Sequence, residues 1–339
     1  MKYIDLRSDT VTKPGKGMLD AMFKAKVGDD VFGEDETINK LQEKCAKLSG
    51  KERALFVPTG VMGNQLAIKA HTVQGDEVIV ESESHILNYE TAGPSVISNV
   101  QLLPLKGENG VLDVETIRAH VRSREYYFPV TKLICLEQTH NRSGGTILPI
   151  KNIKAISTFA RQYGIKMHLD GARIFNAVAE TGISLEEYAY NFDTVSFCFS
   201  KGLGCPVGSI LCGDEETIKL AHKWRKILGG GMRQAGFLAA AAIYALDKNV
   251  KRLKEDNDNA KYFAAELAKS DAYNINVDKV HTNIVVFSSK KYMKDEFIPL
   301  ARSKGVLLSS GSYDFTRAVF HLDLTKADVK KSAKILSEL

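Results

Sequence analysis

The chain has 339 residues, of which 44% are hydrophobic and 26% charged, a mixture typical of a globular protein with a full hydrophobic core. Its 46 basic and 41 acidic residues are scattered along the chain and give a net charge of +5, so nucleic acid is not an expected partner. Five cysteines without a C-x-x-C pair argue against a disulfide framework and a zinc site. The charged start, MKYIDLRSDT, does not resemble a signal peptide, and the longest apolar stretch is about half a membrane span. We therefore expect a cytoplasmic protein without a membrane partner.

Strand-like and helical patterns alternate along most of the chain. Seven segments dense in apolar, β-branched and aromatic residues read as strands: 54–57, 77–80, 100–105, 132–137, 165–169, 194–199 and 208–212. Helical patterns lie before or between them, for example 16–27, 36–49, 113–123 and 152–163. Strands spaced by helices indicate a parallel sheet covered on both faces. The predicted fold class is α/β, with a mostly parallel seven-stranded sheet between helices in a large domain.

The pattern changes near residue 248. An alanine-rich helix ends at about 246, and a charged helix follows over 250–269. The remaining segments read in the order strand, helix, two strands and helix, which predicts a smaller C-terminal α/β domain packed on the first. The predicted domains are 1–248, with the N-terminal arm, and 249–339.

The turn after the first strand is a candidate anion site. Residues 58–64, PTGVMGN, connect the strand over 54–57 to a helix. Unpaired N–H groups at a helix start can bind an oxyanion, and glycine lets the backbone approach it. This turn is therefore a candidate anion site, although an ordinary strand-to-helix turn has the same pattern.

Four predicted strands are followed by residues that could take part in catalysis or bind a ligand, namely His85, the segment 137–141, Asp170 with Arg173, and Lys201. Each has an ordinary explanation: a loop histidine, a helix N-cap, or a solvated surface cation. Their shared position is more informative, because ligands bind at the carboxyl ends of parallel strands. A lysine shielded from water there can act as a nucleophile toward a carbonyl group.

Pyridoxal phosphate is a cofactor whose chemistry uses this whole set. It needs a lysine for a Schiff base, a carboxylate beside its ring nitrogen, a flat partner for its ring and an anion site for its phosphate. Lys201, Asp170, His85 and the turn at 59–63 supply these four groups.

The chain resembles the threonine aldolases, which are lyases of the aspartate-aminotransferase-like, fold type I group of pyridoxal phosphate enzymes. The resemblance covers almost the full length and rests on seven blocks in the family's order: DLRSDTVT at 5–12, GDDVFGED at 28–35, SHI at 84–86, THN at 139–141, HLDGAR at 168–173, SKGL at 200–203 and GGGMRQAG at 229–236. It implies cleavage of L-threonine or L-allo-threonine to glycine and acetaldehyde through an aldimine and a quinonoid. It also implies a homotetramer arranged as a dimer of dimers.

The resemblance also implies roles for individual residues. Lys201, His85 and Asp170 are the expected catalytic residues. The expected cofactor ligands are Thr59, Gly60, Val61, His85, Asp170, Arg173, Lys201 and Arg233, of which Arg233 would reach the phosphate from a subunit interface. The expected substrate ligands are Ser8, Arg173, Arg317 and Tyr127, and no metal is expected.

Two positions depart from the family pattern. Tyr127 stands where many low-specificity members have a histidine near the substrate's β-hydroxyl group, and neutral tyrosine is a far weaker base near pH 7. Val61 stands where the family often has threonine, which removes a hydroxyl but keeps the backbone N–H. His85 or a water held near it is therefore the expected acceptor of the β-hydroxyl proton.

Alanine racemisation, or another reaction of the same cofactor on this fold, is the alternative. Racemisation needs acid and base groups on both faces of Cα, and Tyr127 keeps that option open. A dinucleotide-dependent dehydrogenase is disfavoured, because the glycines at 202, 204 and 208 have the wrong spacing and lead into a strand.

Overall fold

The computed structural model describes residues 3–339. Its strands are β1 Ile4–Asp5, β2 Arg53–Val57, β3 Glu77–Glu81, β4 Gln101–Leu105, β5 Thr131–Glu137, β6 Lys166–Asp170, β7 Thr194–Cys198, β8 Ser209–Gly213, β9 Tyr273–Asn274, β10 Ile284–Ser289, β11 Val306–Leu307, β12 Ser309–Ser310 and β13 Thr316–Val319. Its helices are α1 Lys16–Phe23, α2 Glu36–Ser49, α3 Gly60–His71, α4 His85–Asn88, α5 Val114–His120, α6 Ile150–Tyr163, α7 Ile174–Thr181, α8 Leu185–Ala189, α9 Glu215–Ile227, α10 Gly236–Lys248, α11 Leu253–Leu267, α12 Lys294–Ser303 and α13 Lys326–Ser337.

A seven-stranded sheet in the order β2-β8-β7-β6-β5-β3-β4 forms the centre of the molecule. Strand β8 runs antiparallel to both its neighbours, and the pairs among β7, β6, β5, β3 and β4 are parallel. Every residue of β3, β7 and β8 is buried, as expected when helices cover both faces. The predicted α/β fold with a mostly parallel seven-stranded sheet is confirmed.

Local sequence explains where the helices nearest the site begin and end. Helix α2 begins after Asp35, whose side chain accepts hydrogen bonds from the N–H groups of Thr37 and Ile38, and it ends at Gly50 in the left-handed conformation. Helix α3 begins after Thr59, whose side chain accepts from the N–H of Met62. These caps fix the ends of the helices that flank β2, and so fix the turn between β2 and α3.

The C-terminal part has its own sheet and hydrophobic cluster. Strands β12, β13, β10 and β9 form an antiparallel sheet, and Phe263, Phe287 and Phe320 pack in the cluster beside it. Strand β1 pairs in parallel with β11, which brings Ile4 and Leu6 into the same cluster. The domain boundary at residue 248 stays a prediction, and these contacts join the N-terminal arm to the C-terminal cluster.

Over residues 3–339, none of the helices combines the length and the apolar character needed to cross a membrane.

Candidate active site

A cavity of about 300 Å³ opens at the carboxyl ends of the parallel strands, at the lower end of the range of roughly 300–1,000 Å³ seen for small-molecule sites. Six predicted site residues line it: Thr59, Gly60, Val61, His85, Asp170 and Lys201. They come from the ends of different strands, so the shared edge of the sheet brings them together as the sequence pattern indicated.

Asp170, the last residue of β6, lies at the bottom of this cavity and is 4% exposed. One carboxylate oxygen accepts from Asn64 Nδ2 at 2.8 Å, and the other accepts from the N–H of Ala172 at 3.0 Å. Burial by itself would raise the pKa of Asp170, but the positive charges of Lys201 and His85 outweigh it and lower that pKa. Asp170 is therefore a fixed anion, suited to a cationic partner.

His85 begins α4, at the wall of the cavity. Its Nδ1 lies 2.9 Å from Glu90 Oε1, and its backbone N–H donates to Glu137 Oε2 at 2.7 Å. Burial lowers the pKa of His85, but the hydrogen bond to Glu90 and the charge of Asp170 raise it above its ordinary value. Because Glu90 engages Nδ1, Nε2 is the ring atom that can exchange a proton with a ligand.

The turn between β2 and α3 has the features of an anion site. Thr59 caps the N–H of Met62, while the N–H groups of Gly60 and Val61 belong to the helix start, which has no intrahelical acceptors for them. A Cβ on Gly60 would lie 2.7 Å from Cys198 Sγ, so only glycine lets the backbone come this close to β7. Below it, the buried hydroxyl of Ser209 has no hydrogen-bond partner among residues 3–339.

Two arginines meet beside this cavity through Asn141. Asn141 Oδ1 accepts from Arg317 Nη1 at 2.9 Å and from Arg173 Nη1 at 3.3 Å. Arg173 also donates from Nε and Nη2 to the two carboxylate oxygens of Asp9, each at 2.6 Å, so that face of its guanidinium is already occupied. Burial, together with the charge of Arg173, lowers the pKa of Arg317. The pair thus forms a positively charged site that favours an anion.

Ser8 is adjacent to these arginines along the N-terminal arm. Its neighbour Arg7 accepts a hydrogen bond from Arg317 Nη2 on its carbonyl oxygen at 3.4 Å, and its other neighbour is Asp9. The side chain of Ser8 caps the short helical turn that follows, accepting from the N–H of Thr10. The arm therefore carries Ser8 to the arginine pair.

Two of the predicted site residues, Arg233 and Tyr127, do not lie beside the cavity of their own chain. Arg233 is 59% exposed and pairs with Asp29 at 2.9 Å. Tyr127 is 64% exposed and lies just before β5, at the amino end of the strands and therefore at the opposite edge of the sheet from Lys201. Neither residue lines the cavity.

Sequence reasoning missed several residues that organise the site. Asn64 and Glu90 hold Asp170 and His85, and Asp9 holds Arg173. Glu137 accepts from the backbone N–H groups of both His85 and Asn141. Glu137 and Asn141 were visible as polar residues after a strand, and Asp9 lies in a recognised block. For Asn64 the available signal was its position four residues after Gly60, on the same face of α3.

His85, Glu90 and Asp170 also have the spacing of a metal site, since one ligand atom of each lies within 4.8 Å of the others. Their oxygens are already engaged, because Glu90 accepts from Asn64 and Gln65 and Asp170 accepts from Asn64 and Ala172. Hydrogen bonds therefore suffice to organise this group.

The chain is similar to known proteins over almost its full length. The beta-eliminating lyase family matches residues 5–290. The low specificity L-threonine aldolase of Escherichia coli K12 is 41% identical over 331 residues, covering 97% of each chain. Low-specificity L-threonine aldolase 1 of Arabidopsis thaliana is 41% identical over 336 residues, covering 97% of this chain and 94% of that one. The threonine aldolase structure from Leishmania major has the same fold, with a TM-score of 0.85 at 17% identity over 98% of both chains.

The chain belongs to the beta-eliminating lyase family. Within it, the resemblance to the threonine aldolases that the sequence blocks indicated is confirmed over almost the whole length.

Proposed function

We propose that the protein is a pyridoxal phosphate-dependent lyase that cleaves the Cα–Cβ bond of L-threonine and L-allo-threonine to give glycine and acetaldehyde. The observation that carries the proposal is the meeting of Lys201, Asp170 and His85 around one cavity. The full-length similarity to low-specificity L-threonine aldolases supports this substrate class.

The residues of the cavity fit the cofactor. Asp170 is a buried carboxylate with a lowered pKa, as a protonated ring nitrogen requires. The start of α3 offers N–H groups for a phosphate, and Gly60 leaves room for it beside Cys198. Lys201 lines the same cavity and would attach the cofactor. When bound, pyridoxal phosphate supplies an electron sink for the negative charge that develops at Cα.

The remaining residues would orient the amino acid. Arg317 and Nη1 of Arg173 would bind its carboxylate, with Ser8 beside them, because guanidinium groups match a planar carboxylate. Fixing the carboxylate limits rotation about Cα and so selects the bond that breaks.

His85 would take the proton of the β-hydroxyl group at Nε2, directly or through a water. Glu90 at Nδ1 stabilises the protonated imidazole, and the raised pKa of His85 strengthens it as a base. Loss of this proton lets the Cα–Cβ bond break, with the hydroxyl carbon leaving as an aldehyde. A proton delivered to Cα then gives glycine.

We also propose a cytoplasmic homotetramer, a dimer of dimers. The exposure of Arg233 and Tyr127 supports this, since both are expected ligands that this chain does not bring to its own cavity. Arg233 would contact the phosphate, and Tyr127 the substrate, of a neighbouring subunit.

The test combines spectroscopy with product analysis. The purified protein should show a visible absorption band that borohydride removes, and peptide mapping should find the reduced cofactor on Lys201. Acetaldehyde should form from L-threonine and L-allo-threonine, and Lys201→Ala should lose both the attachment and the activity. Formation of D-alanine from L-alanine without acetaldehyde from threonine would instead indicate a racemase. A colourless protein that does not bind the cofactor would refute both.

A further inference from the structure

Asn64 lies at the centre of the buried hydrogen bonds below the cavity. It is 2% exposed and sits on α3, one helical turn after Gly60. Its Nδ2 donates to Asp170 Oδ2 and to Glu90 Oε1, both at 2.8 Å. Its Oδ1 lies 3.0 Å from His168 Nε2 and accepts from Ser196 Oγ at 3.0 Å. All four hydrogen-bonding positions of this amide are therefore used.

The partners fix the orientation of the amide. Asp170 is an acceptor only, so the atom of Asn64 facing it must be the NH₂ group. The oxygen then faces His168, and His168 Nε2 must carry a proton and donate it. An orientation rotated by 180° would place an oxygen against the carboxylate of Asp170.

The directions of the hydrogen bonds beyond His168 can be assigned in the same way. Burial lowers the pKa of His168 and of His71 to about 4, so both rings are neutral near pH 7. A neutral His168 with its proton on Nε2 accepts at Nδ1 from the hydroxyl of Thr194, which lies 2.9 Å away. That hydroxyl in turn accepts from His71 Nε2 at 3.0 Å. In the series His71, Thr194, His168, Asn64 and Asp170, each residue therefore donates a hydrogen bond to the next. Hydrogen bonds aligned in this way reinforce one another.

Asn64 also joins the two sides of the cavity. Glu90 accepts from Asn64 and from His85 on the same oxygen, Oε1. The residue expected beside the ring nitrogen, Asp170, and the residue expected over the ring face, His85, are therefore connected through one side chain and Glu90. A shift of Asn64 would disturb both.

We propose that Asn64 is a positioning residue that holds Asp170 and the His85–Glu90 pair in one hydrogen-bonded frame, and that its donation to Asp170 keeps the cofactor's ring nitrogen protonated. This inference rests on the proposed function. Asn64 does not contact the substrate in this proposal, so loss of its side chain would act through the protonation of the cofactor's ring nitrogen.

The experiment compares the wild-type holoenzyme with Asn64→Leu, both loaded with pyridoxal phosphate labelled with ¹⁵N in the ring. The substitution keeps the approximate size of the side chain and removes both donors to Asp170 and Glu90 without adding a charge. The ring-nitrogen signal should move from the protonated toward the unprotonated position. The kcat for L-threonine should fall by roughly ten- to a hundredfold, with a smaller change in KM.

Ser196→Ala is the matched control. Ser196 is equally buried at 2% and donates to Asn64 Oδ1, but its loss leaves both bonds from Asn64 to the carboxylates intact. This variant should keep a protonated ring nitrogen, with kcat lowered by less than about fivefold.

The outcomes separate this inference from the proposed function. If the wild-type protein does not bind the cofactor or cleave threonine, the proposed function fails. If the wild-type protein is active but Asn64→Leu keeps the wild-type nitrogen signal, donation from Asn64 does not control the protonation of the ring nitrogen and the inference fails. Should Asn64→Leu not fold, Asn64→Ala removes the same donors and is read in the same way. Misfolding of both, with Ser196→Ala folded, would overturn the inference, because Asn64 would then be a structural core residue.

Discussion

Two groups of predicted site residues differ in how much of their environment the chain itself provides. Asp170 and Arg173 are buried, and each is bonded to partners within the chain, Asn64 for the first and Asp9 for the second. Arg233 and Tyr127 are 59% and 64% exposed, away from the cavity. The comparison indicates that one chain can build the electrostatics around the expected ring-nitrogen site, whereas Arg233 and Tyr127 do not line the cavity of their own chain.

The largest effect is expected at the buried group. Asp170→Asn replaces the anion with a neutral amide that cannot hold a ring nitrogen protonated. The kcat for L-threonine should fall by about a thousandfold, as breaking a buried ion pair costs roughly 3–5 kcal/mol. Acetaldehyde release measured at saturating cofactor tests this. A loss of less than tenfold would mean that Asp170 is not the partner of the ring nitrogen.

Asp9→Asn should lower the free energy of unfolding by about 3 kcal/mol, since it leaves the buried guanidinium of Arg173 without its counter-ion. Burial raises the pKa of Asp9, but Arg173 lowers it further, to about 2 in the folded protein, against about 3.9 when unfolded. The pair therefore stabilises the fold fully above about pH 4, and the contribution is lost as pH falls toward 2.

Urea denaturation at pH 7 and at acid pH measures both the loss of unfolding free energy and its dependence on pH. Asp20→Asn is the control, because Asp20 is in an exposed pair with Lys16 and should change stability by less than about 0.5 kcal/mol. Equal losses in the two variants would contradict the assignment of Asp9.

Arg317→Ala should lower kcat/KM for L-threonine by roughly fiftyfold, since a charge-assisted hydrogen bond to the substrate's carboxylate contributes about 1.5–3 kcal/mol. The loss should fall mainly on KM, and Arg317→Lys should recover part of it. Arg302→Ala, at an exposed position, serves as the control. An unchanged KM for Arg317→Ala would remove Arg317 from the substrate site.

Arg233→Ala should weaken cofactor binding by roughly tenfold if it contacts the phosphate. Its location can be decided by mixing subunits. If Arg233 acts across the interface, Arg233→Ala and Lys201→Ala chains refolded together would form hybrid dimers in which one site carries both changes and the other neither; if it acts within its own chain, each site would carry one change. Recovered activity would place Arg233 across the interface, whereas activity no higher than in the separate variants would argue against a shared site.

Glu90→Gln should produce the smallest effect, a change in the pH profile. Burial lowers the pKa of His85 and Glu90 raises it, so removing the charge should move the rising limb of kcat/KM to lower pH. In the wild-type protein, the pair stabilises the fold at pH values below about 6.5, and this contribution disappears as pH rises through the higher pKa of the folded state. An unshifted profile would mean that His85 is not the group that titrates.

The sequence predicted what depends on local pattern. The strands ending before His85, Asp170 and Lys201 follow from alternating apolar residues and turn chemistry, and parallel strands bring those ends to one edge. The hydrogen-bond partners could not be predicted in this way, because they depend on packing between distant segments. Asp9 lies 164 residues from Arg173 in the chain, and no local periodicity links the two.

The N-terminal arm has a consequence for how the enzyme is made. Strand β1 pairs with β11, and the hydroxyl of Ser309 donates to the carbonyl of Arg7, 302 residues away. Residues 4–5 are synthesised long before residues 306–307, so the pairing of β1 with β11 can form only after most of the chain has been made. Arg317, which meets Arg173 at Asn141, is synthesised later still, so the arginine pair that we expect to bind the substrate's carboxylate is completed late in synthesis.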